Sequence, residues 1–379
     1  MKIAVIGSGL MGRAIVYDLG RADGVEKVGL YDFDFELAEE IAKKYGNNKT
    51  EAGKIDASDE HQASEIMTDF DACISAVTYK FNIGLTRAAI KSKTHFFDLG
   101  GNNDVVKAQF EMHDEARAAD IIVIPDCGLA PGMVSVLAAD GVSKFEKVTS
   151  LKIRVGGLPQ NPRPPLNYQI LFSSEGLINE YWEPVVILDN GVKKIVNPLT
   201  GLEKLEFDGV GELEAFFTSG GASTLPDSYE GQVDFLDYKT IRYPGHCRAV
   251  RPMLEIGLGS RKEIKVGDCM VIPREVFKKI LEKNLSFHDP DMVLVRLTFQ
   301  GLIEGRDKQM VYEIIDRQDV RTGLTSMMRT TAFPVAIIAW MACSGKIEHR
   351  GVIPQETAVN PQYFITQLKK RDINLVIRE

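Results

Sequence analysis

Three glycines and one aspartate carry the clearest chemical instruction in the chain. Gly7, Gly9 and Gly12 lie in Gly7-Ser8-Gly9-Leu10-Met11-Gly12, a G-x-G-x-x-G spacing. The apolar run Lys2-Ile3-Ala4-Val5-Ile6 leads into it, and a helical pattern with Ala14, Ile15 and Leu19 leads out. In that strand–turn–helix setting Gly7 permits a tight turn, Gly9 lets the backbone approach a pyrophosphate, and Gly12 lets the helix pack close to the strand. Leu10 and Met11 then open the helix N-terminus, whose amides and dipole face the phosphates. A second strand-like run from Val25 to Tyr31 ends in Asp32, about twenty residues beyond the last glycine, where a carboxylate accepts both ribose hydroxyls of an adenosine. That carboxylate repels a 2′-phosphate, and neither Arg nor Ser stands at Phe33, Asp34 or Phe35 to receive one. The expected cofactor is therefore NAD rather than NADP.

Strands alternate with helical patterns through the first third of the chain. Asp71 to Val77, Thr94 to Leu99 and Ile121 to Ile124 read as strands, and Phe81 to Lys91 and Ala108 to Ala119 as helices. This rhythm implies an α/β fold with a parallel, doubly wound sheet and right-handed crossovers. Ligands in such sheets sit at the carboxyl ends of the strands. That criterion selects Asp56 and Ala57, Ala76 and Val77, and Cys127, Gly128 and Leu129 as further cofactor-binding residues. It also selects Tyr79 (with Asn82), Asp98 and Asp126 for the reacting end. Asp98 and Asp126 are each followed within two positions by glycine; either binds a substrate amine or orients a base, and a turn or capping role competes. Cys127 reads as packing rather than as a nucleophile, since no motif depresses its pKa.

Farther on, Lys239, Arg242, His246, Arg248 and Arg251 gather cations within a short span. Arg242 has the fork geometry that suits a carboxylate. His246 titrates near neutral pH and suits proton transfer, and the Pro244-Gly245 turn can carry both into one pocket. The competing reading is a solvated basic face with His246 capping the turn. Tyr168, Phe172, Tyr181 and Trp182 either roof a cleft or belong to a core or subunit surface. His95, inside a strand, and His113, on a helix, read as structural.

At 379 residues the chain exceeds one ordinary core, so two domains are expected. Residues 1–130 form the dinucleotide-binding unit, 131–324 an inserted α+β unit, and 325–379 a segment that returns to the first. In the insert, Val148 to Gly156, Pro184 to Val196 with an Asn190-Gly191 hairpin, Ile256 to Ile264, Met292 to Gly301 and Lys308 to Ile315 read as strands, and Pro273 to Leu285 as a helix. The pattern turns helical again from Thr325. An apolar content of 44% and a charged content of 26% are ordinary for a soluble globular protein, and a net charge of −8 argues against nucleic acid or an anionic membrane as partner. The apolar stretch Ala332 to Cys343 is twelve residues long and holds Pro334, too short to span a bilayer. The first strand begins at Lys2, so no signal peptide is expected. Five scattered cysteines without a C-x-x-C pair suggest a reducing cytoplasm, no disulfide framework and no metal site.

The order of motifs resembles the saccharopine dehydrogenase-like family, and within it the lysine 6-dehydrogenase branch. The resemblance rests on Val5 to Gly12, Asp98-Leu99-Gly100-Gly101, Ile124-Pro125-Asp126-Cys127-Gly128-Leu129-Ala130-Pro131-Gly132-Met133, and Val155-Gly156-Gly157-Leu158-Pro159. It continues through Thr218-Ser219-Gly220-Gly221-Ala222-Ser223-Thr224-Leu225, Tyr238 to His246, Met328-Arg329-Thr330-Thr331-Ala332 and Arg350-Gly351-Val352-Ile353-Pro354. It implies an N-terminal Rossmann domain, an inserted α+β domain that dimerises, and a C-terminal segment returning to the Rossmann side. It also implies oxidative deamination of the side-chain amine of L-lysine by NAD in a homodimer, with Tyr79 lining the nicotinamide end. A loop aromatic closing the domain edge is the other reading of Tyr79. Such a substrate arrives as an ammonium with a pKa of ~10.4 and must lose a proton before hydride can leave. A saccharopine-like or polyamine-precursor reductase and a non-catalytic dinucleotide sensor are the alternatives.

Overall fold

Ile3, Ala4, Val5 and Ile6 retain no surface to water, as a strand covered on both faces requires. They form β1 (Lys2–Ile6), inside a sheet built with β2 (Lys27–Asp32), β3 (Thr50–Lys54), β4 (Ala72–Ser75), β5 (His95–Asp98) and β6 (Ile122–Ile124). The order is β3-β2-β1-β4-β5-β6, closed by a seventh strand, Gly351–Val352, beside β6. Every pairing is parallel. This is the doubly wound Rossmann order, in which the chain reverses direction of growth between β1 and β4 and leaves a crevice at their carboxyl ends.

The structure is a computed structural model that describes residues 1–379, and it divides into two units. The first holds Met1–Ser143 and Met328–Asn374, the second Lys144–Met327 and Leu375–Glu379. The first unit thus runs past residue 130, because the apolar helix Met133–Val142 belongs to it. Met328–Asn374 group with the first unit, and the last residues pair elsewhere, Val376–Arg378 adding an edge strand to the second unit's sheet.

The helix Ser326–Cys343 is 18 residues long and by length and composition would reach across a bilayer. It is longer than the twelve-residue apolar stretch suggested, because Ser326 to Thr331 join it. It is 83% buried, with Ala332, Val335 and Ile338 wholly covered, which makes it a core helix apolar on all sides. The expected helix Ala108–Ala119 is two, Asn103–Phe110 and His113–Ala118, broken at Glu111-Met112. His95 accepts the Ile122 N–H and ties two strands together, and His113 Nδ1 lies 2.9 Å from the Val352 carbonyl oxygen and ties its helix to the seventh strand.

In the second unit the period of two is plain. β7 (Lys147–Pro159), a strand Val185–Asp189 (β8) hairpinned to β9 (Val192–Val196), β10 (Glu203–Phe207), β11 (Gly211–Phe217), β12 (Val233–Arg242), two long strands Asp291–Ile303 and Arg306–Arg317, and the edge strand Val376–Arg378 make one mixed sheet of nine strands. Val295, Leu297 and Phe299 meet Val155, Ile153 and Leu151 on one side and Ile314, Tyr312 and Met310 on the other, all buried. Asn190 and Gly191 take positive φ (53° and 78°) at the β8–β9 turn, as a tight hairpin needs. Helices Ser174–Trp182, His246–Glu255 and Pro273–Leu285 form a second apolar cluster with Phe216.

Ile256 to Ile264 is not a strand. It follows the helix His246–Glu255, Gly257 breaks it at φ +100°, and strand geometry begins only at Ile264. The alternating Ile256 and Leu258 mimicked a strand period over a glycine-rich turn.

The return of the chain is anchored in the first unit by Arg371, which grips Asp18 on the helix Leu10–Arg21 through Nε–Oδ1 (2.6 Å) and Nη2–Oδ2 (2.9 Å). Both side chains are largely buried. Asp18→Ala strands the guanidinium without its partner and is expected to lower stability by ~3–5 kcal/mol, read as a drop in urea midpoint. A drop of less than ~1 kcal/mol, the worth of a surface pair, would show that this anchor is dispensable.

Candidate functional site

The glycine turn has the geometry its spacing predicts, and its three glycines differ in why they are needed. Gly7 has φ +107°, and a Cβ there would stand 2.8 Å from the Ala76 backbone and 3.0 Å from Val77. A Cβ on Gly12 would collide with the Gly7 carbonyl oxygen. A Cβ on Gly9 would meet nothing within 4 Å. The fold therefore demands Gly7 and Gly12, while at Gly9 no protein atom requires the missing side chain. Gly9 is the N-cap of the helix Leu10–Arg21 and supplies no capping side chain, which leaves the first-turn amides of Leu10 and Met11 for an anion. These features fit the diphosphate of a dinucleotide.

Asp32 closes the turn from the end of β2. Its Oδ2 accepts the Ser8 N–H (2.6 Å) and the Ser8 hydroxyl (2.7 Å), and its Oδ1 accepts the Asp34 N–H (3.0 Å). Three of about four acceptor positions are used, leaving one on Oδ1. Leu10, Phe33 and Phe35 around it are exposed apolar side chains. Lys54 is the register partner of Asp32 on β3, and its Nζ lies 5.5 Å over the Phe33 ring. Asp56 turns back on Ser58 by two hydrogen bonds (2.9 and 2.6 Å), which hold its carboxyl below the usual range, and Ala57 packs against the core.

At the ends of β4, β5 and β6 the structure brings Tyr79, Asp98 and Asp126 together. Tyr79 lies on a single turn, Tyr79–Phe81, with its ring against Gly101. Asn82 is buried and accepts from Ser75 Oγ at 2.8 Å. Asp126 has φ +62°, and its Oδ1 occupies the space where a Gly100 side chain would begin. Asp98 is fully buried and accepts from the Gly100 N–H (2.7 Å), the Asp126 N–H (3.2 Å) and Gln109 Nε2 (2.7 Å). Burial raises its pKa against those bonds. It is sealed from any substrate and instead positions Gly100 and Asp126, which corrects its expected contact with an amine. Cys127 is likewise enclosed, its thiol 3.2 Å from the Ile124 carbonyl oxygen and its pKa raised by burial, and Leu129 is buried. Gly128 lies beside Pro131 and Thr331.

In the second unit the expected cation cluster disperses, for a reason of period. Alternate residues of β12 face opposite sides of the sheet. Lys239 faces one side, where Nζ donates to Glu203 Oε2 (2.7 Å) and the Gly201 carbonyl (2.6 Å), and Glu203 also grips Arg154. Tyr238, Thr240 and Arg242 face the other side, which the helices cover. Arg248 and Arg251 are exposed, Arg251 paired with Glu255 at 2.6 Å. Lys239 is thus part of a structural ion network and shares no pocket with Arg242.

Arg242 and His246 do meet. Gly245 (φ +93°) turns the chain, and Glu214 caps the following helix by accepting the Gly245 N–H (2.9 Å) and Cys247 N–H (2.7 Å). Buried Arg242 donates from Nε to the Tyr181 hydroxyl (2.8 Å) and from Nη1 to the Ile241 carbonyl (3.0 Å), and its guanidinium lies 4.6 Å from the Tyr168 ring centre. The Tyr181 hydroxyl is 3.1 Å from His246 Nε2, and His246 Nδ1 is 2.9 Å from the Leu166 carbonyl oxygen. A carbonyl only accepts, so the proton belongs on Nδ1, Nε2 accepts from Tyr181, and Tyr181 accepts from Arg242. Burial among Tyr168, Tyr181 and Phe216, then the Arg242 charge, push the His246 pKa down to about 3. His246 is a neutral structural acceptor, not a proton carrier near pH 7.

One group was passed over in the sequence. Glu180, on the helix Ser174–Trp182, has its Oε2 3.8 Å from Arg242 Nη2, and burial pushes its carboxyl up to about 7 against the pull of Arg242. The available signal was a lone acid between Ile178 and Tyr181, on the edge of a buried stripe.

Two family descriptions cover the chain. Residues 3–124 match the saccharopine dehydrogenase NADP binding domain and residues 128–373 the saccharopine dehydrogenase C-terminal domain. The chain belongs to the saccharopine dehydrogenase family. Among curated relatives, the cattle (Bos taurus) mitochondrial alpha-aminoadipic semialdehyde synthase is 24% identical over 93% of this chain and 45% of its own length. The NADP(+), L-glutamate-forming saccharopine dehydrogenase of Saccharomyces cerevisiae is 23% identical over 68% of this chain and 58% of its own. The chain spans about half the length of these relatives. The apo saccharopine dehydrogenase (L-Glu forming) structure from S. cerevisiae covers the whole chain with a TM-score of 0.82 at 19% identity, so the family fold is shared.

Two tests follow for this family member. Gly9→Ala adds a methyl group in open space at φ −65°, so stability should change by less than ~1 kcal/mol while dinucleotide affinity, read by fluorescence of the reduced cofactor, falls about tenfold or more. Unchanged affinity would remove Gly9 from the phosphate site. The second test reads the neutral histidine. The unfolded chain binds a proton at His246 below pH ~6.5 and the folded chain does not until about 3, so its contribution is present above ~6.5 and lost as pH falls toward 3. Glu180 acts oppositely, since its raised pKa favours the folded state at low pH and the gain disappears as pH rises through about 7. Comparison with His246→Gln isolates the histidine: the wild-type advantage in urea unfolding should shrink by ~2 kcal/mol between pH 7 and pH 5. A constant difference would mean an exposed, titrating imidazole.

Proposed function

We propose that this protein is an NAD-dependent dehydrogenase that oxidises the side-chain amine of an α-amino acid, with L-lysine the favoured substrate. The observation that carries the cofactor half is Asp32, a carboxylate at the end of β2 with an acceptor position left on Oδ1 and no arginine beside it in sequence. The substrate half rests on Arg242, a buried guanidinium with donors to spare for a carboxylate, and on the motif resemblance to the lysine 6-dehydrogenase branch. Nicotinamide supplies the hydride acceptor when bound. The substrate ammonium loses a proton, hydride leaves the ε-carbon, and the resulting imine takes up water and releases ammonia. The aldehyde product then closes on its own α-amine. Tyr79 and Asp126, at the strand ends of the first unit, are proposed at the nicotinamide end, and Asp98 holds Asp126 in its left-handed conformation. A homodimer and a cytoplasmic location belong to the same proposal.

A second reading is oxidation of saccharopine with NADP. Two observations favour it: the names of the curated relatives and Lys54, a cation beside Asp32 that can meet a 2′-phosphate.

One assay separates them. Purified protein is given NAD or NADP with L-lysine, L-ornithine, saccharopine or polyamines, and reduced cofactor is followed by absorbance. The expected result is turnover of L-lysine with NAD preferred. Asp32→Ala should lower kcat/KM for NAD about tenfold or more, as loss of charge-assisted hydrogen bonds does, and lower that for NADP less. Saccharopine turnover without lysine turnover, or a preference for NADP that Lys54→Ala abolishes, would establish the second reading instead.

A further inference from the structure

The pair Glu180–Arg242 differs from the tight ion pairs found elsewhere in the protein. Arg154 meets Asp237 at 2.7 and 3.1 Å, Arg296 meets Glu313 at 2.6 and 2.8 Å, and Arg371 meets Asp18 at 2.6 and 2.9 Å. Those are hydrogen-bonded pairs that satisfy themselves. Glu180 and Arg242 approach only to 3.8 Å, beyond hydrogen-bond reach. The Glu180 carboxylate accepts no hydrogen bond from the protein, although its own backbone carbonyl accepts the Ser219 N–H at 2.8 Å. It also sits in the last turn of a helix, where the dipole opposes a negative charge. On Arg242, Nε and one Nη1 proton are committed, and Nη2 has Glu180 as its one charged neighbour. A pair that served stability alone would close.

We propose that Glu180 and Arg242 form a receptor for the zwitterionic head of an α-amino acid, Arg242 Nη2 taking the carboxylate and Glu180 the α-ammonium. The inference names the substrate class of the reading above and rests on that reading for the reaction, though not for the binding. The two charged groups of an α-amino acid branch from one carbon, so they bridge a donor and an acceptor held at this separation. Neither the carboxylate nor the ammonium need strip the protein pair apart, because each adds the hydrogen bonds that the pair lacks. Tyr168, Tyr181 and Tyr238 surround the receptor; burial, together with the nearby Glu180 charge, raises all three hydroxyls, so they stay neutral walls. The Tyr238 ring occupies the space a Gly221 side chain would need, which explains the glycine in the Ser219-Gly220-Gly221 stretch. The side chain of Glu180 is 27% exposed against 3% for Arg242, so the receptor opens on the acidic side. An ammonium meets Glu180 first, and a bare carboxylate meets repulsion.

The test uses the 379-residue protein and isothermal titration with L-norleucine, which lacks the ε-amine, and with hexanoate and hexylamine, six-carbon chains that carry one charged group each. Wild type should bind L-norleucine about tenfold or more tightly than either single-headed ligand. Glu180→Gln should reduce L-norleucine to the level of hexanoate while keeping the far-UV circular dichroism of the folded protein. Arg242→Lys, which keeps the charge and loses the fork, should weaken L-norleucine and hexanoate alike. Equal binding of L-norleucine and hexanoate by wild type, no binding of any ligand, or full retention of L-norleucine by Glu180→Gln would each overturn the receptor. L-Norleucine binding as expected, without reduction of either cofactor by L-lysine, would leave the receptor standing and remove the reaction. Lysine turnover in a protein whose L-norleucine affinity ignores Glu180 would do the reverse.

Discussion

A guanidinium taken almost wholly out of water needs its charge answered within the protein, and the helix-covered side of the second unit is arranged around that need at Arg242. Desolvation of an ion is among the largest single penalties a fold bears. Here it is met by a tyrosine hydroxyl, a backbone carbonyl, two aromatic faces and one carboxylate at a distance. The same positive charge, added to burial, keeps His246 neutral. A strand end cannot hold a permanently buried cation and, hydrogen-bonded to the same tyrosine, an imidazole that gains a proton near neutral pH. His246 therefore holds the Tyr181 hydroxyl in place rather than carrying a proton near neutral pH.

The first unit solves a different constraint, that of close backbone approach. Gly7 makes room for Ala76 and Val77, Gly12 for Gly7, and Gly100 for the Asp126 carboxylate. Each of these glycines is explained by a neighbour inside the fold. Gly9 has no such neighbour. Within one motif the fold thus requires Gly7 and Gly12 and itself places no demand on Gly9. Asp126 extends the logic: a non-glycine residue at φ +62° is strained, and Asp98 offsets that strain by accepting its N–H and that of Gly100.

The Rossmann sheet was legible because its signals are local. The glycine turn, the acidic end of β2 and the apolar runs each lie within a few residues, and the Asn190-Gly191 hairpin does too. The cation cluster was misread because proximity in sequence was taken for proximity on a face. Lys239 and Arg242 are an odd number of residues apart on a strand, and a period of two sends them to opposite sides of the sheet. The helix His246–Glu255 was missed because its cap, Glu214, comes from a strand more than thirty residues earlier in the chain. Glu180 was passed over for the same kind of reason: nothing within its helix shows that Arg242 lies opposite.

The spacing between Glu180 and Arg242 is itself fixed from several directions. On the arginine side, the Leu166 carbonyl sets the tautomer of His246, the tautomer sets the direction of the Tyr181 hydroxyl, and the hydroxyl accepts Nε of Arg242. The chain of hydrogen bonds has one polarity, running from Arg242 through Tyr181 to His246. On the glutamate side, Ser219 holds the helix end by donating its N–H to the Glu180 carbonyl and its hydroxyl to the Pro184 carbonyl. Thr218, the preceding residue, is joined to Thr240 of β12 by their hydroxyls at 2.6 Å. The strand that carries Arg242 and the loop that anchors Glu180 are thereby tied to each other. These ties hold the backbone on both sides of the pair, so the helix end that carries Glu180 and the strand end that carries Arg242 are set against each other by the fold.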